Sequence, residues 1–286
     1  AYQFNNTEHA ASLFGLKEFG NIYSRLGNPT VGALEARLTD LEEGAMCVAL
    51  SSGTSAVMYS LINIMSQGDN FVTANQLYGG TYTMFDNILP EYGIDSKKVD
   101  ITDLKAVEDA IDDKTRAIYC ETITNPGLVV ADVTALSEIA HSKGIPLIVD
   151  ATFTTSAIQK SFEFGADIVV YSLTKWMSGH GRVIAGAVIE KGGFDWGNGN
   201  FPLYDKPDTS YGGMRWGHDL GDLSSVAYSL RLRTVPLRNL GANMSPETAF
   251  EVMSGLETLG LRMDRHCENA IKAAEYLSDH ELVEWI

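Results

Sequence analysis

Residues 145–181 read IPLIVDATFTTSAIQKSFEFGADIVVYSLTKWMSGHG. Two apolar runs, IPLIVDAT (145–152) and ADIVVYSL (166–173), flank a stretch with helical spacing, SAIQKSFEFG (156–165). A run that is apolar at successive positions fits a strand covered on both faces, and two such strands joined through a helix make a parallel crossover. The rhythm continues on either side of this segment. Upstream lie MCVALSS (46–52), GTSAVMYSLINIM (53–65), NFVTAN (70–75), GGTYTMFDNIL (79–89), TRAIYCET (115–122) and ADVTALSEIAHSKG (131–144), and downstream IAGAVI (184–189). This order predicts an α/β domain, a mostly parallel sheet covered by helices. In such sheets ligands bind beyond the carboxyl ends of the strands, so residues that close a strand or open the next helix are the chemical candidates.

Residues 1–38 lack the rhythm and read as an N-terminal arm, followed by an α/β domain over 39–258. The Gly-, Pro- and Asp-rich stretch GGFDWGNGNFPLYDKPDTSYGG (192–213) reads as an excursion outside the core. From Ser245, a suitable cap followed by Pro246 at the first helical position, the pattern is helical almost to the end. Residues 259–286 are expected to begin a C-terminal domain that is cut short. With 286 residues, 45% of them hydrophobic, the chain is long enough for a large buried core. A net charge of −16 without a basic stripe argues against nucleic acid or an anionic membrane surface as partner. Cys47, Cys120 and Cys267 are scattered and odd in number, which suits a reducing cytoplasmic compartment, and no apolar run approaches a membrane span. The start AYQFNNTEHA shows no secretory pattern. A soluble cytoplasmic protein is expected.

Three strand ends carry chemistry. At SSGTSA (51–56) a strand runs into a helix through Ser52, Gly53 and Thr54, where free amides and the dipole favour a phosphate; a plain capped helix is the alternative. Asp150 ends an apolar strand, where a carboxylate needs a cation or several donors, unless it only caps the following turn. Lys175 follows the next strand and could be a nucleophilic amine, although such a lysine is more often structural. Phosphate nest, acid and lysine together are the three anchors that pyridoxal phosphate requires: the lysine as Schiff-base partner, the acid at the ring nitrogen and the nest at the phosphate.

The stretches YSRLGNPT, SSGTSAV, LYGGTY, ETITNPGL, VDATF, SLTKWMSGHG and SPETAFEVMSGLETLGLRMDRH, in this order, resemble the pyridoxal-phosphate-dependent transsulfuration family of cysteine and methionine metabolism, of fold type I. The resemblance covers nearly the whole chain. It implies catalytic roles for Lys175, Asp150 and Tyr78, with Tyr78 stacked on the cofactor ring. Ser52 and the amides of Gly53 and Thr54, with the hydroxyls of Ser172 and Thr174, would hold the phosphate. Asn125 would approach the phenolic oxygen, and Tyr23 and Arg25 would reach the phosphate of a neighbouring subunit in a homo-oligomer, a dimer of dimers. No metal is implied, and His180 and the other histidines read as structural or exposed.

Within this family, LFGLKEFGNIYSR, the isoleucine of ETITNP and the 194–213 excursion resemble the O-acetylhomoserine sulfhydrylases. Gly80 stands where methionine γ-lyases tend to carry cysteine, whereas Arg182 stands where a small hydroxyl residue is usual in the sulfhydrylases. The implied activity is γ-replacement, O-acetylhomoserine plus sulfide or a thiol giving homocysteine or methionine. A γ-lyase, a cystathionine γ-synthase or a catalytically inactive cofactor-binding protein are the alternatives, and a nicotinamide oxidoreductase is disfavoured by the missing GxGxxG.

Overall fold

The computed structural model describes residues 1–18 and 20–286. Seven strands, β1 (Met46–Leu50), β2 (Asn70–Ala74), β3 (Asp95–Val99), β4 (Thr115–Glu121), β5 (Leu147–Asp150), β6 (Ile168–Tyr171) and β7 (Gly186–Glu190), form one sheet in the order β1-β7-β6-β5-β4-β2-β3. Among the described residues β7 alone runs against its neighbours, so the mostly parallel sheet read from the sequence is the sheet observed. The helices are α1 (Thr7–Phe14), α2 (Pro29–Glu42), α3 (Gly53–Ile62), α4 (Gly79–Thr83), α5 (Leu104–Ala110), α6 (Val133–Ser142), α7 (Thr155–Ile158), α8 (Pro202–Asp205), α9 (Ala227–Leu232), α10 (Arg238–Leu240), α11 (Pro246–Leu256) and α12 (Leu259–Ser278).

The continuous apolar runs explain the burial. Every residue of β2, β4, β6 and β7 is buried, and β5 is buried up to Asp150. The parallel strands therefore end together along one edge, where β1 hands over to α3, β2 to the Tyr78 turn, β5 to Asp150 and β6 to Lys175. Ser245 caps α11 as expected, its hydroxyl accepting the Thr248 amide at 3.2 Å.

Four readings differ from the structure. The stretch 156–165 forms not one helix but α7 and a separate 3-10 turn, Ser161–Phe164, because Gln159 adopts an extended backbone between them. The strand β3, DSKKV, was not anticipated: it is an edge strand, paired to β2 only, and its lysines reach Asp112 and Asp86 instead of forming an apolar run. A boundary at 38/39 falls inside α2, which Asn28 caps and Pro29 opens, and whose Leu34 and Leu38 are fully buried against β1. The 192–213 excursion is not outside the core. Its turn residues carry Trp196, Phe201 and Tyr204 into full burial, and Trp196 stacks between Tyr204 and Tyr228 at 5.1 Å from each. Polar groups there are paired: the Trp196 indole donates to Glu190, and the Asn63 amide donates to the Tyr204 hydroxyl.

Candidate active site

A cavity of about 410 Å³ opens at the carboxyl edge of the sheet. Ser52, Gly53 and Thr54 line it from the start of α3, Ser172, Thr174 and Lys175 from the segment after β6, and Asp150 from the end of β5. Tyr78 and Asn125 line it as well. Nine of the eleven residues singled out from the sequence thus meet in one place, although they come from segments up to 123 positions apart (175 − 52). Tyr23 and Arg25 are not among the lining residues; the Arg25 guanidinium lies 4.9 Å from the centroid of the Tyr23 ring.

Ser52 is the N-cap of α3. Its hydroxyl accepts the Ser55 amide at 3.0 Å while Ser55 returns a bond to the Ser52 amide, a reciprocal cap. The amides of Gly53 and Thr54, in the first turn, have no carbonyl within the helix to bond, and both residues line the cavity. Space here is tight on both sides. A Cβ on Gly53 would meet the Ser172 Cβ at 2.5 Å, and one on Gly186 would meet the Ser52 carbonyl oxygen at 2.1 Å. Glycine at 53 and 186 is what lets α3, β7 and the segment after β6 converge.

Asp150 accepts the Thr152 amide at 2.9 Å and the Tyr119 hydroxyl at 3.3 Å. Burial raises its pKa, and the bonds from Thr152 and Tyr119 pull it down only in part. The Thr152 hydroxyl in turn accepts the Ser172 amide at 2.8 Å, which ties the acid's turn to the lysine's segment. Lys175 is exposed within the cleft, its amine 6.0 Å from the centroid of the Tyr78 ring. Among the described lining residues the other ionisable carboxyl and amine groups are the acids Glu121 and Asp150. Thr174 turns to the backbone, its hydroxyl donating to the Ala185 carbonyl and accepting the Ala185 amide.

Several site residues escaped the sequence reading. Glu121 ends β4 opposite Asp150 in register and is 5% exposed, and its pKa is raised to about 7 by burial and by the neighbouring Asp150. The rule that found Asp150, an acid closing an apolar strand, also points to Glu121. Tyr119 carries no such signal, since every position of β4 is buried and its facing cannot be read from alternation. Arg262 of α12 donates to the Trp176 carbonyl at 2.6 Å and to the Gly255 carbonyl at 2.8 Å, anchoring the turn after Lys175 from a helix 86 positions further along the chain. No cluster of potential metal ligands occurs among the described residues, and none of the described helices is long and apolar enough to cross a membrane.

The chain is 44% identical to O-acetyl-L-homoserine sulfhydrylase of Leptospira meyeri and 43% identical to homocysteine synthase of Schizosaccharomyces pombe, in each case over 100% of this chain. It spans 66% and 67% of the length of those relatives. A crystal structure assigned as an O-acetylhomoserine (thiol)-lyase from Campylobacter jejuni, which carries a pyridoxyl-lysine monophosphate, superposes with a TM-score of 0.94 at 39% identity, covering 98% of this chain and 70% of that one. Cystathionine γ-lyase of Lactobacillus plantarum, complexed with L-serine, gives 0.76 at 31% identity, covering 98% and 63%. Residues 1–286 match the family described as Cys/Met metabolism PLP-dependent enzyme, and with these relatives the chain belongs to the pyridoxal-phosphate-dependent enzymes of Cys/Met metabolism.

Proposed function

We propose that this chain carries the cofactor chemistry of a γ-replacement enzyme that joins O-acetylhomoserine with sulfide or a small thiol to give homocysteine or methionine. The observation that carries the reading is the convergence of the α3 amides, Asp150 and Lys175 on one cavity; the similarity to sulfhydrylases selects the reaction. The donor set fits pyridoxal phosphate. A dianionic phosphate matches the first-turn amides of α3 and the Ser172 hydroxyl, and the glycine at 53 allows close approach. Tyr78 and Asp150, which line the same cavity, would hold the cofactor ring. A cation set against Asp150 offsets the desolvation that now raises its pKa.

When bound, the cofactor supplies an electron sink for the carbanion left by removal of the substrate's α proton. The chain's own residues do the rest. Lys175 would hold the cofactor by its amine, and that amine would take the substrate's α proton and return a proton as acetate leaves the γ-carbon and the thiol adds. Asp150, held by Thr152 and Tyr119, would keep the ring nitrogen of the bound cofactor protonated. Tyr78, whose ring centroid lies 6.0 Å from the Lys175 amine, would pack against the cofactor ring. Thr174 reaches the phosphate only if its hydroxyl leaves Ala185, so Ser172 is the better donor of the two.

Arg25 and Tyr23 serve the phosphate of a neighbouring subunit in this reading. Mixing inactive Arg25→Ala and Lys175→Ala subunits tests it: recovered activity supports a shared site, and none after proven exchange overturns it. The reaction itself is tested with the protein loaded with pyridoxal phosphate and given O-acetylhomoserine with sulfide, methanethiol or no thiol. Thiol-dependent release of acetate and formation of homocysteine or methionine is expected; ammonia and 2-oxobutanoate without thiol would indicate a γ-lyase instead. Lys175→Ala should lose the borohydride-trapped cofactor adduct while remaining folded.

A further inference from the structure

Glu121 lies at the join of three parts of the site. Its Oε1 accepts the backbone amide of Tyr78 at 2.7 Å, and its Oε2 accepts the backbone amide of Asn125 at 3.0 Å. These amides belong to different segments, one leading from β2 into α4 and the other following β4. Tyr78 stands at the N-terminal boundary of α4, which has no side-chain cap of its own, so the Glu121 carboxylate is what grips this turn. The Tyr78 ring then folds over Gly80, where a Cβ would meet the ring Cε1 at 2.8 Å.

This arrangement is electrostatically expensive. Glu121 is almost fully buried, no cation bonds it among the described residues, and its register partner on β5 is the second carboxylate, Asp150. Burial and a like charge both disfavour its ionised form. A neutral amide of the same shape would avoid the charge, but it offers one oxygen acceptor and one N–H₂ donor. It could receive one of the two amides and would present a donor to the other. Two converging N–H groups therefore require a carboxyl group with two acceptor oxygens, and an aspartate would fall one methylene short.

We infer that Glu121 is a positioning residue that acts through Tyr78 and Asn125, fixing the two segments that bring these residues into the cavity lining. This inference rests on the reading of the cavity as the pyridoxal-phosphate site. Glu121 touches neither substrate nor cofactor in this role; it sets where the tyrosine ring and the asparagine stand.

The experiment compares wild type and Glu121→Gln, both full-length and loaded with pyridoxal phosphate. Three readouts are taken: the visible circular dichroism of the bound cofactor, which follows ring orientation, the cofactor dissociation constant, and kcat and KM. The variant should show a reduced or altered dichroic band, a dissociation constant raised about 10- to 30-fold, as for one lost charge-assisted hydrogen bond, and a fall in kcat. In a Tyr78→Ala background the same substitution should change the band far less, because the residue acts through Tyr78. A variant with the wild-type band, affinity and kcat overturns the inference, as does full additivity with Tyr78→Ala. If the variant does not fold, hydrogen exchange on the loaded wild type decides: the Tyr78 and Asn125 amides should be protected well beyond the unbonded amides of their own loops, and exchange at the same rate as those overturns the inference. Failure of the wild type itself to bind pyridoxal phosphate at Lys175 would overturn the functional reading instead, so the two failures are distinguishable.

Discussion

Gly53→Ala is the sharpest test of how the α3 terminus works. The added Cβ would lie 2.5 Å from the Ser172 Cβ and 2.8 Å from both the Ser172 Cα and Oγ. Ordinary carbon contacts begin near 3.5 Å, so about 1 Å of separation must be found. The Ser172 Cα is backbone and its amide is tied to Thr152, so that side gives little. The other flank is closed by Gly186, beneath the Ser52 carbonyl. The first turn of α3 must therefore move, carrying the amides of Gly53 and Thr54 with it. Overpacking of this kind costs about 1–3 kcal/mol of stability, and a displacement near 1 Å in groups that must meet a bound partner costs about 100-fold. The variant should lose about 100-fold in pyridoxal-phosphate affinity, about 2.7 kcal/mol, measured by titration of the apoprotein and followed by absorbance and fluorescence. Gly32→Ala is the control: nothing lies within 4 Å of its Cβ position, inside α2, and the change should stabilise by about 0.5–1 kcal/mol with unchanged cofactor affinity. Binding by Gly53→Ala within about threefold of wild type, with unchanged stability, would refute the reasoning that the nest is built by close approach.

Asp150→Asn should retain the cofactor but lower turnover by about 100-fold or more, since it removes a charge placed to stabilise the reacting state; turnover close to wild type would reduce Asp150 to a turn residue. Glu42 gives a pH signature unrelated to catalysis. It accepts the Tyr171 hydroxyl, its other oxygen has no partner, and burial raises its pKa from 4.5 to about 7. The folded state thus holds a proton that the unfolded chain releases between these values, so this group's contribution to stability is greatest below pH 4.5 and declines as pH rises to about 7. At about 1.4 kcal/mol per pH unit the full decline is at most about 3–4 kcal/mol. Chemical denaturation at several pH values should show a shallower decline for Glu42→Gln, and identical slopes would mean that Glu42 is charged in the folded protein.

The sequence by itself determined the α/β class, the parallel character of the sheet and the edge on which chemistry gathers. Continuous apolar strands can be buried only between two helical layers, and that topology brings their carboxyl ends together whatever the loops do. Ser52, Asp150 and Lys175 were legible for the same reason: polar groups at the ends of apolar strands stand out locally. Tertiary structure decided what local pattern could not carry. Trp196 and Tyr204 sit in a stretch of turn formers, and only the neighbours Glu190, Asn63 and Tyr228 make it core. Leu34 and Leu38 are core because β1 lies beneath them. Arg262 serves the turn after Lys175 across a long sequence interval. Glu121 matters through two backbone amides from separate loops, and a backbone amide has no residue type by which a sequence could announce it. Hydrogen bonds and burial between distant segments depend on where the chain returns in space, and that return is fixed by packing of the whole sheet.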